Sequence, residues 1–426
     1  MSSSRTLTHN VVSLALLQAI NYLVPLITLP YLVRVLKPSH FGLLSFVQGV
    51  VLYFDFFVDF GFNFSATRLL AACPQKLGSI SRIFWSTLFA KIGLMFVSFL
   101  ALGALVLLIP KLRGLSSLFA AGLLSLLGTA FFPLWLFQGL ERMKLAVVAL
   151  AVSRLLTIPA LILFVKQPQD YTTAGAMQFS VELGASLFAA PLVFRRIRIP
   201  WYRPSFANVA DSYRQGWPLF LSGSALFISG LSTPIILGTV GRMAEVGYFS
   251  AADKLIKASI SALNPLSQAL FPHIVSARRE SAASALRLIR KSLLATTALS
   301  MTAAPATFLL AAPLCRLFFG VSFQRSIPIL QCLVPLPVLF GLLTVFGTQT
   351  MLVFNMDSTL TKIMFASAIV GLPLTTLLSV RFGAIGAAAA SDSVAILIAS
   401  AIYFCLRSKG VHVWRDQSRH PPMTPA

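Results

Sequence analysis

Helical residues three, four or seven apart share a face. On that spacing Gln48, Asp55, Asp59 and Asn63 form one polar stripe, the last three within the phenylalanine-rich run YFDFFVDFGFNFSATR (53–68). A second apolar stretch repeats the design with Asp253, Lys257, Ser261, Asn264 and Gln268, and Lys254 adjoins it. Lys91, Arg154 and Glu182 stand singly in three further apolar runs. Such groups suit binding more than bond-making: Lys and Arg hold phosphate oxygens, amides meet hydroxyls, and a carboxylate can carry H⁺ or Na⁺. Cys73, Cys315, Cys332 and Cys405 are scattered without metal-type spacing, and the five histidines lie near predicted helix ends or in tails. The pattern therefore points to no metal, redox centre or other cofactor.

The elements that position these residues must be membrane helices. Of 426 residues 57% are hydrophobic and 11% charged, against roughly a quarter charged in soluble chains. The apolar runs are long and continuous, as helices crossing ~30 Å of hydrocarbon require, and lack the short alternation of barrel strands. Twelve spans are predicted, at 11–33, 41–66, 83–109, 115–138, 145–165, 172–194, 217–240, 246–272, 292–315, 327–353, 363–380 and 383–406. The first run is too long for a signal-peptide core and has no small-residue cleavage site, so it is expected to remain as the first span. The connections leave no room for a soluble catalytic domain.

The formal charge of +22 is arranged for a membrane and not for nucleic acid. With the N-terminus inside, cytoplasmic segments carry 21 Lys/Arg and external ones 9, while Lys91, Arg154, Lys254 and Lys257 fall within spans. The positive-inside rule then places both termini in the cytoplasm.

The chain divides into an N-terminal six-helix lobe (1–194), a basic cytoplasmic linker (195–216), a C-terminal six-helix lobe (217–406) and a basic tail (407–426). Gly42 and Ser45 match Gly247 and Ser250 at an offset of 205, and GAMQFSVE (175–182) resembles GAAAASDS (386–393) at an offset of 211. At the first offset Gln48, Asp59 and Asn63 fall on Asp253, Asn264 and Gln268, which suggests two walls of one hydrated cavity in a pseudo-symmetric pair. A charge at a helix centre costs ~2.5–3.5 kcal/mol on the insertion scale and so should face protein or water. The simpler reading is that these groups pair to hold helices together, Glu182 with Arg154 for instance. Asp55 has no polar counterpart at residue 260 and is expected to stand apart, near the lipid headgroups. Pro30, expected to end the first span, is a hinge candidate with Pro234 and Pro265.

N10VVSLALLQAINYLVPLITLPYLVRVLKPSHFGLLSF46, VDFGFNFSATR (58–68), FPLWLFQGLERMK (132–144), Ser153-Arg154 and YFSAADKL (248–255) resemble, in order and spacing, Wzx-type O-antigen flippases of the multidrug/oligosaccharidyl-lipid/polysaccharide exporter superfamily. The resemblance covers almost the whole chain. It implies twelve helices in two six-helix lobes forming a V, and transport of an oligosaccharide on undecaprenyl pyrophosphate between the leaflets of a bacterial inner membrane. On that expectation Lys91, Arg154, Lys254 and Lys257 serve the pyrophosphate, and Gln48, Asn63, Asn264 and Gln268 the sugars. Span one lacks the carboxylate expected of drug exporters in the superfamily, so ion coupling by H⁺ or Na⁺ is assigned to Asp59 and Glu182. Expected partners are the lipid-linked oligosaccharide, membrane lipids and other polysaccharide-assembly proteins.

Two rivals remain. A polysaccharide polymerase or glycosyltransferase would need a sizeable external loop, and the external loops here carry only Asp170 and Glu245 as acids. A cationic-drug exporter would favour an acidic or aromatic cavity over one with four bases. The charge pattern makes a direct prediction: reporter fusions at 195–216 and at the C-terminus read cytoplasmic, and those at 166–170 read external. An external signal at residue 205 would break the twelve-span count.

Overall fold

Lys37 has φ 60° and ψ 168°, and it precedes Pro38, whose ring disfavours helical backbone in the residue before it. The first element, α1 (Ser2–Asp59), is therefore two helices joined at Lys37. Pro30 lies inside the first of them, so the break expected there comes later in the chain. Phe60 (φ 47°) and Gly61 (φ 76°) then interrupt the chain before α2 (Phe62–Ala72). The computed structural model describes residues 2–73, 76–261 and 264–411.

The remaining helices of the first half are α3 (Leu77–Leu108), α4 (Pro110–Arg113), α5 (Ser116–Phe131), α6 (Leu134–Gly139), α7 (Met143–Phe164) and α8 (Tyr171–Pro191). The second half comprises α9 (Phe206–Leu231), α10 (Thr233–Val240), α11 (Met243–Ser261), α12 (Asn264–Glu280), α13 (Ala282–Leu309), α14 (Ala311–Phe319), α15 (Ser326–Cys332), α16 (Leu336–Leu343) and α17 (Asp357–Ser408). Short π-helical runs follow α8 and α16. There is no strand among the described residues.

Eight stretches of the described residues are long and apolar enough to cross a membrane. They contain nine of the twelve expected spans, because α17 holds two, parted at Gly383 (φ 60°). Spans one, seven and eight are absent from the eight. Span one falls mostly where side chains are not described. Span seven is divided between α9 and α10, with Pro234 in the first turn of α10, and span eight between α11 and α12. The protein is a multi-pass, all-α membrane protein.

The chain forms two compact units, Met1–Ser224 with Arg242–Gly247, and Ala225–Gly241 with Tyr248–Ala426. In the first, α8 packs along both α5 and α7, and α1 packs on α3, α5, α7 and α8. The contacts are close because small residues allow them: a Cβ on Gly128 would lie 2.6 Å from Glu182 Cβ, and one on Gly184 would lie 2.5 Å from Ser153 Oγ. Tyr31 donates to the Val165 carbonyl at 2.6 Å, tying α1 to the end of α7. A core around Phe84, Trp135, Phe137 and Leu150 fills the space between α3, α6, α7 and α8. The phenylalanines of the opening run pack against α9: Phe60 stacks on Phe220 with centroids 4.8 Å apart and meets Tyr213 edge-on. The basic segment 195–216 is anchored on this unit. Trp85 Nε1 donates to the Pro200 carbonyl at 2.9 Å, and Tyr213 donates to the Ala90 carbonyl at 2.8 Å. In the second unit α12, α13, α16 and α17 surround a core of Ile274, Ile289, Leu293, Val345, Met351 and Ile402.

The glycines matched by the repeat, Gly42 and Gly247, face each other. A Cβ on Gly42 would stand 1.7 Å from the Met243 carbonyl oxygen, and one on Gly247 would stand 2.1 Å from that of Pro38. Backbone on both sides leaves nothing flexible to yield. Gly42→Ala should therefore destabilise the protein by at least the ~1–3 kcal/mol typical of overpacking, read as a lower thermal unfolding temperature in detergent. Gly103→Ala, in α3 with nothing within 4 Å of the added carbon, should be neutral or stabilising by up to ~1 kcal/mol. Equal effects would contradict this packing.

Candidate functional site

In the first unit the polar side chains converge from five helices. Lys91 on α3 is 1% exposed. Its Nζ lies 3.3 Å from Asp59 Oδ1 on α1 and donates to the Thr129 carbonyl on α5 at 2.9 Å. An ammonium so deeply enclosed persists only with such partners.

Asp55, one turn before Asp59, is half-buried and bonded on both oxygens: Ser125 donates to Oδ2 at 2.7 Å, and Thr129 Oγ1 lies 2.9 Å from Oδ1. The same Thr129 hydroxyl lies 3.0 Å from Glu182 Oε2 on α8. The approach of α5 to α8 at Gly128 puts that threonine against the glutamate. Arg154, half-buried on α7, interacts electrostatically with Glu182. Its neighbour Ser153 donates to the Val181 carbonyl at 2.6 Å and so fixes α7 against α8. One turn before Glu182, Gln178 accepts from Gln48 of α1.

Asp59, Glu182, Lys91 and Arg154 thus belong to one polar centre, with Gln48 beside it. Asn63 does not continue the stripe of α1, because the interruption at Phe60 and Gly61 comes between them. Its buried side-chain oxygen has no hydrogen-bond partner. Asp55, expected to stand apart near the headgroups, is instead among the most fully bonded members. Ser125 and Thr129 are four residues apart in span four and Gln178 and Glu182 four apart in span six. That spacing is the sequence signal for the hydroxyls and the amide, which carry no charge to mark them.

The second unit is arranged differently. Lys257 is 46% exposed and lies 2.7 Å from Asp253, a pair within one turn of α11, and Lys254 interacts electrostatically with both. Asp253 and Lys257 line a cavity of about 250 Å³ with Thr344, Thr348 and Ser391, and its remaining wall is largely apolar. Asp392, next along α17, has a buried oxygen without a hydrogen-bond partner. The side chains of Asn264 and Gln268 lie outside the described residues, as does that of Pro265.

The two ion pairs should respond very differently to loss of the cation. Lys91→Ala removes an enclosed ammonium, leaves Asp59 without its counter-ion among packed helices and should cost roughly 3–5 kcal/mol. Lys257→Ala removes a half-exposed ammonium from a pair within one helix, of the kind worth about 0.3–0.5 kcal/mol. Thermal unfolding in one detergent, with the parent alongside, measures both. A Lys91→Ala variant as stable as Lys257→Ala would contradict the enclosure of Lys91.

Comparison with known proteins bears on what this geometry serves. Residues 7–278 match the family model described as "Polysaccharide biosynthesis protein". The chain is 34% identical over 406 residues to the "Putative O-antigen transporter" of Escherichia coli (strain K12), covering 95% of this chain and 97% of that one. It is 28% identical over 379 residues to the protein of the same name from Shigella dysenteriae, covering 88% and 94%. Among solved structures it is similar to the lipid II flippase MurJ in an inward closed conformation. The TM-score is 0.71 at 11% identity, over 94% of this chain and 87% of that one. It is similar also to an inward-facing multidrug resistance MATE family transporter of the MOP superfamily, with a TM-score of 0.70 at 15% identity, over 94% and 98%. These two likenesses give the fold alone, an all-α membrane fold like that of those two proteins. The family match spans well over half of the sequence: the chain belongs to the polysaccharide biosynthesis protein family.

Proposed function

We propose that this protein is a flippase. It moves an undecaprenyl-pyrophosphate-linked oligosaccharide, an O-antigen unit or a similar surface polysaccharide unit, from the cytoplasmic to the periplasmic leaflet of the bacterial inner membrane by alternating access. The observation that carries this reading is the end-to-end match to relatives named as O-antigen transporters. The chemistry agrees with it. Membrane helices that bury ionisable groups away from lipid are characteristic of transport pathways.

In this reading Arg154, Lys254 and Lys257 attract the pyrophosphate and Gln48, Asn63, Asn264 and Gln268 meet the sugar hydroxyls. Lys91 contributes positive charge while holding Asp59. Coupling to an ion gradient falls to the carboxylates of the first unit, Asp59 and Glu182 among them. The excess of Lys/Arg in the segments assigned to the cytoplasm supports an orientation with both termini inside. Membrane lipids and other polysaccharide-assembly proteins are the partners this function implies.

Deletion of the gene should abolish surface polysaccharide and leave sensitivity to cationic drugs unchanged, and the parent gene should restore the polysaccharide. Arg154→Ala should restore little at matched protein abundance. Arg154→Lys should restore part, because lysine keeps the charge and loses the bidentate fork. Unchanged polysaccharide with increased drug sensitivity would overturn the reading in favour of a drug exporter.

A further inference from the structure

Thr129 has one hydroxyl hydrogen, yet its oxygen lies 2.9 Å from Asp55 Oδ1 and 3.0 Å from Glu182 Oε2. An ionised carboxylate is an acceptor only. If both acids were ionised, one of these two contacts would press acceptor against acceptor with no hydrogen between them. Ser125 does not resolve the conflict, because its hydrogen goes to the other oxygen of Asp55. One added hydrogen does: a neutral Glu182 donates to Thr129, which donates to Asp55, or the chain runs the opposite way.

The charge balance asks for the same hydrogen. The ionisable groups at this junction are Asp55 and Asp59 from α1, Lys91 from α3, Arg154 from α7 and Glu182 from α8. The side chains facing them from α5 are the hydroxyls of Ser125 and Thr129. Gln48 and Gln178 close the centre on one side as a neutral amide pair. Three carboxylates against two cations leave one net negative charge among membrane helices, where an uncompensated charge is costly. A single proton makes the group neutral. Lys91 is committed to Asp59 and a backbone carbonyl, so the acids left to take that proton are Asp55 and Glu182.

We infer that Asp55 and Glu182, bridged by Thr129, hold one proton between them, and that they bind and release it as a unit. Asp59 remains paired with Lys91. When the proton leaves to water, two carboxylates compete for one hydroxyl, and Thr129 keeps its bond to only one of them. The junction of α5 with either α1 or α8 then loses a hydrogen bond and gains a repulsion, so the charge state of the pair is written into helix packing. That this proton is the coupling ion rests on the transport reading above. The proton site itself does not.

The test is infrared difference spectroscopy of the purified full-length protein in lipid, following the C=O stretch of a protonated carboxylic acid. Asp392 has a buried oxygen without a hydrogen-bond partner, so all variants are made on an Asp392→Asn background. That background should show the band near neutral pH, well above the ~4 at which an ordinary carboxyl titrates. Asp55→Asn and Glu182→Gln should each abolish it, and Thr129→Val should shift its frequency. If either amide variant fails to accumulate, carbon-13 in the carboxyls of aspartate or of glutamate replaces it, and one of the two labels should move the band. No band in the background protein, in sodium or potassium buffer, overturns the proposal, as does a band that survives both amide substitutions. The readout needs no substrate. A protein with the band that fails to restore surface polysaccharide would count against the flippase reading and leave the proton site standing.

Discussion

Lys91 sits among membrane helices with almost none of its surface reaching outside the protein, and a charge in that position has to be met from within. The arrangement of the first unit follows from meeting it. Asp59 must be brought to α3 from α1, and the Thr129 carbonyl must be offered from α5, so three helices are committed to one ammonium. Asp55, one turn away, then requires donors of its own and takes them from Ser125 and Thr129. Glu182 enters because α8 lies against α5 where Gly128 allows it, and Arg154 follows on α7. Each polar group makes the next one tolerable, so removing one member should disturb the others beyond its own contact.

The second unit places its charges under a weaker constraint. Asp253 and Lys257 pair along a single helix, and the lysine is nearly half exposed beside a cavity walled mainly by apolar side chains. That pair does not depend on several helices meeting at one atom. Although three positions of the two stripes match in the sequence, Asp59 is locked into the packing of its unit, whereas Asp253 and Lys257 border a cavity.

Much of this was legible in the sequence because hydropathy and a spacing of four are local properties. The apolar runs marked the helices, Gln48, Asp55 and Asp59 lined up on one face, and Lys91, Arg154 and Glu182 stood out as charges in apolar surroundings. What escaped depended on which helix faces which. Asp55 has no counterpart at residue 260, and its partners are a serine and a threonine of a kind common in membrane helices, whose role appears only once α5 lies against α1. A spacing of four puts Asn63 on the stripe only if the helix runs through Phe60 and Gly61, where left-handed backbone interrupts it. Pro30 suggests a break near the end of the first span, but a helix can accommodate a proline within a kink, and the break falls at Lys37, where Pro38 restricts the residue before it.

The central claim is that Lys91 and Asp59 compensate one another at a buried site. A double-mutant cycle tests it most directly. Lys91→Met, Asp59→Asn and the combined variant are compared with the parent by thermal unfolding in a single detergent. The combined variant should be more stable than Lys91→Met alone, with a coupling of at least ~1 kcal/mol, because it removes the charge that the single substitution strands. Strictly additive losses would mean that the two charges are satisfied independently and would contradict it.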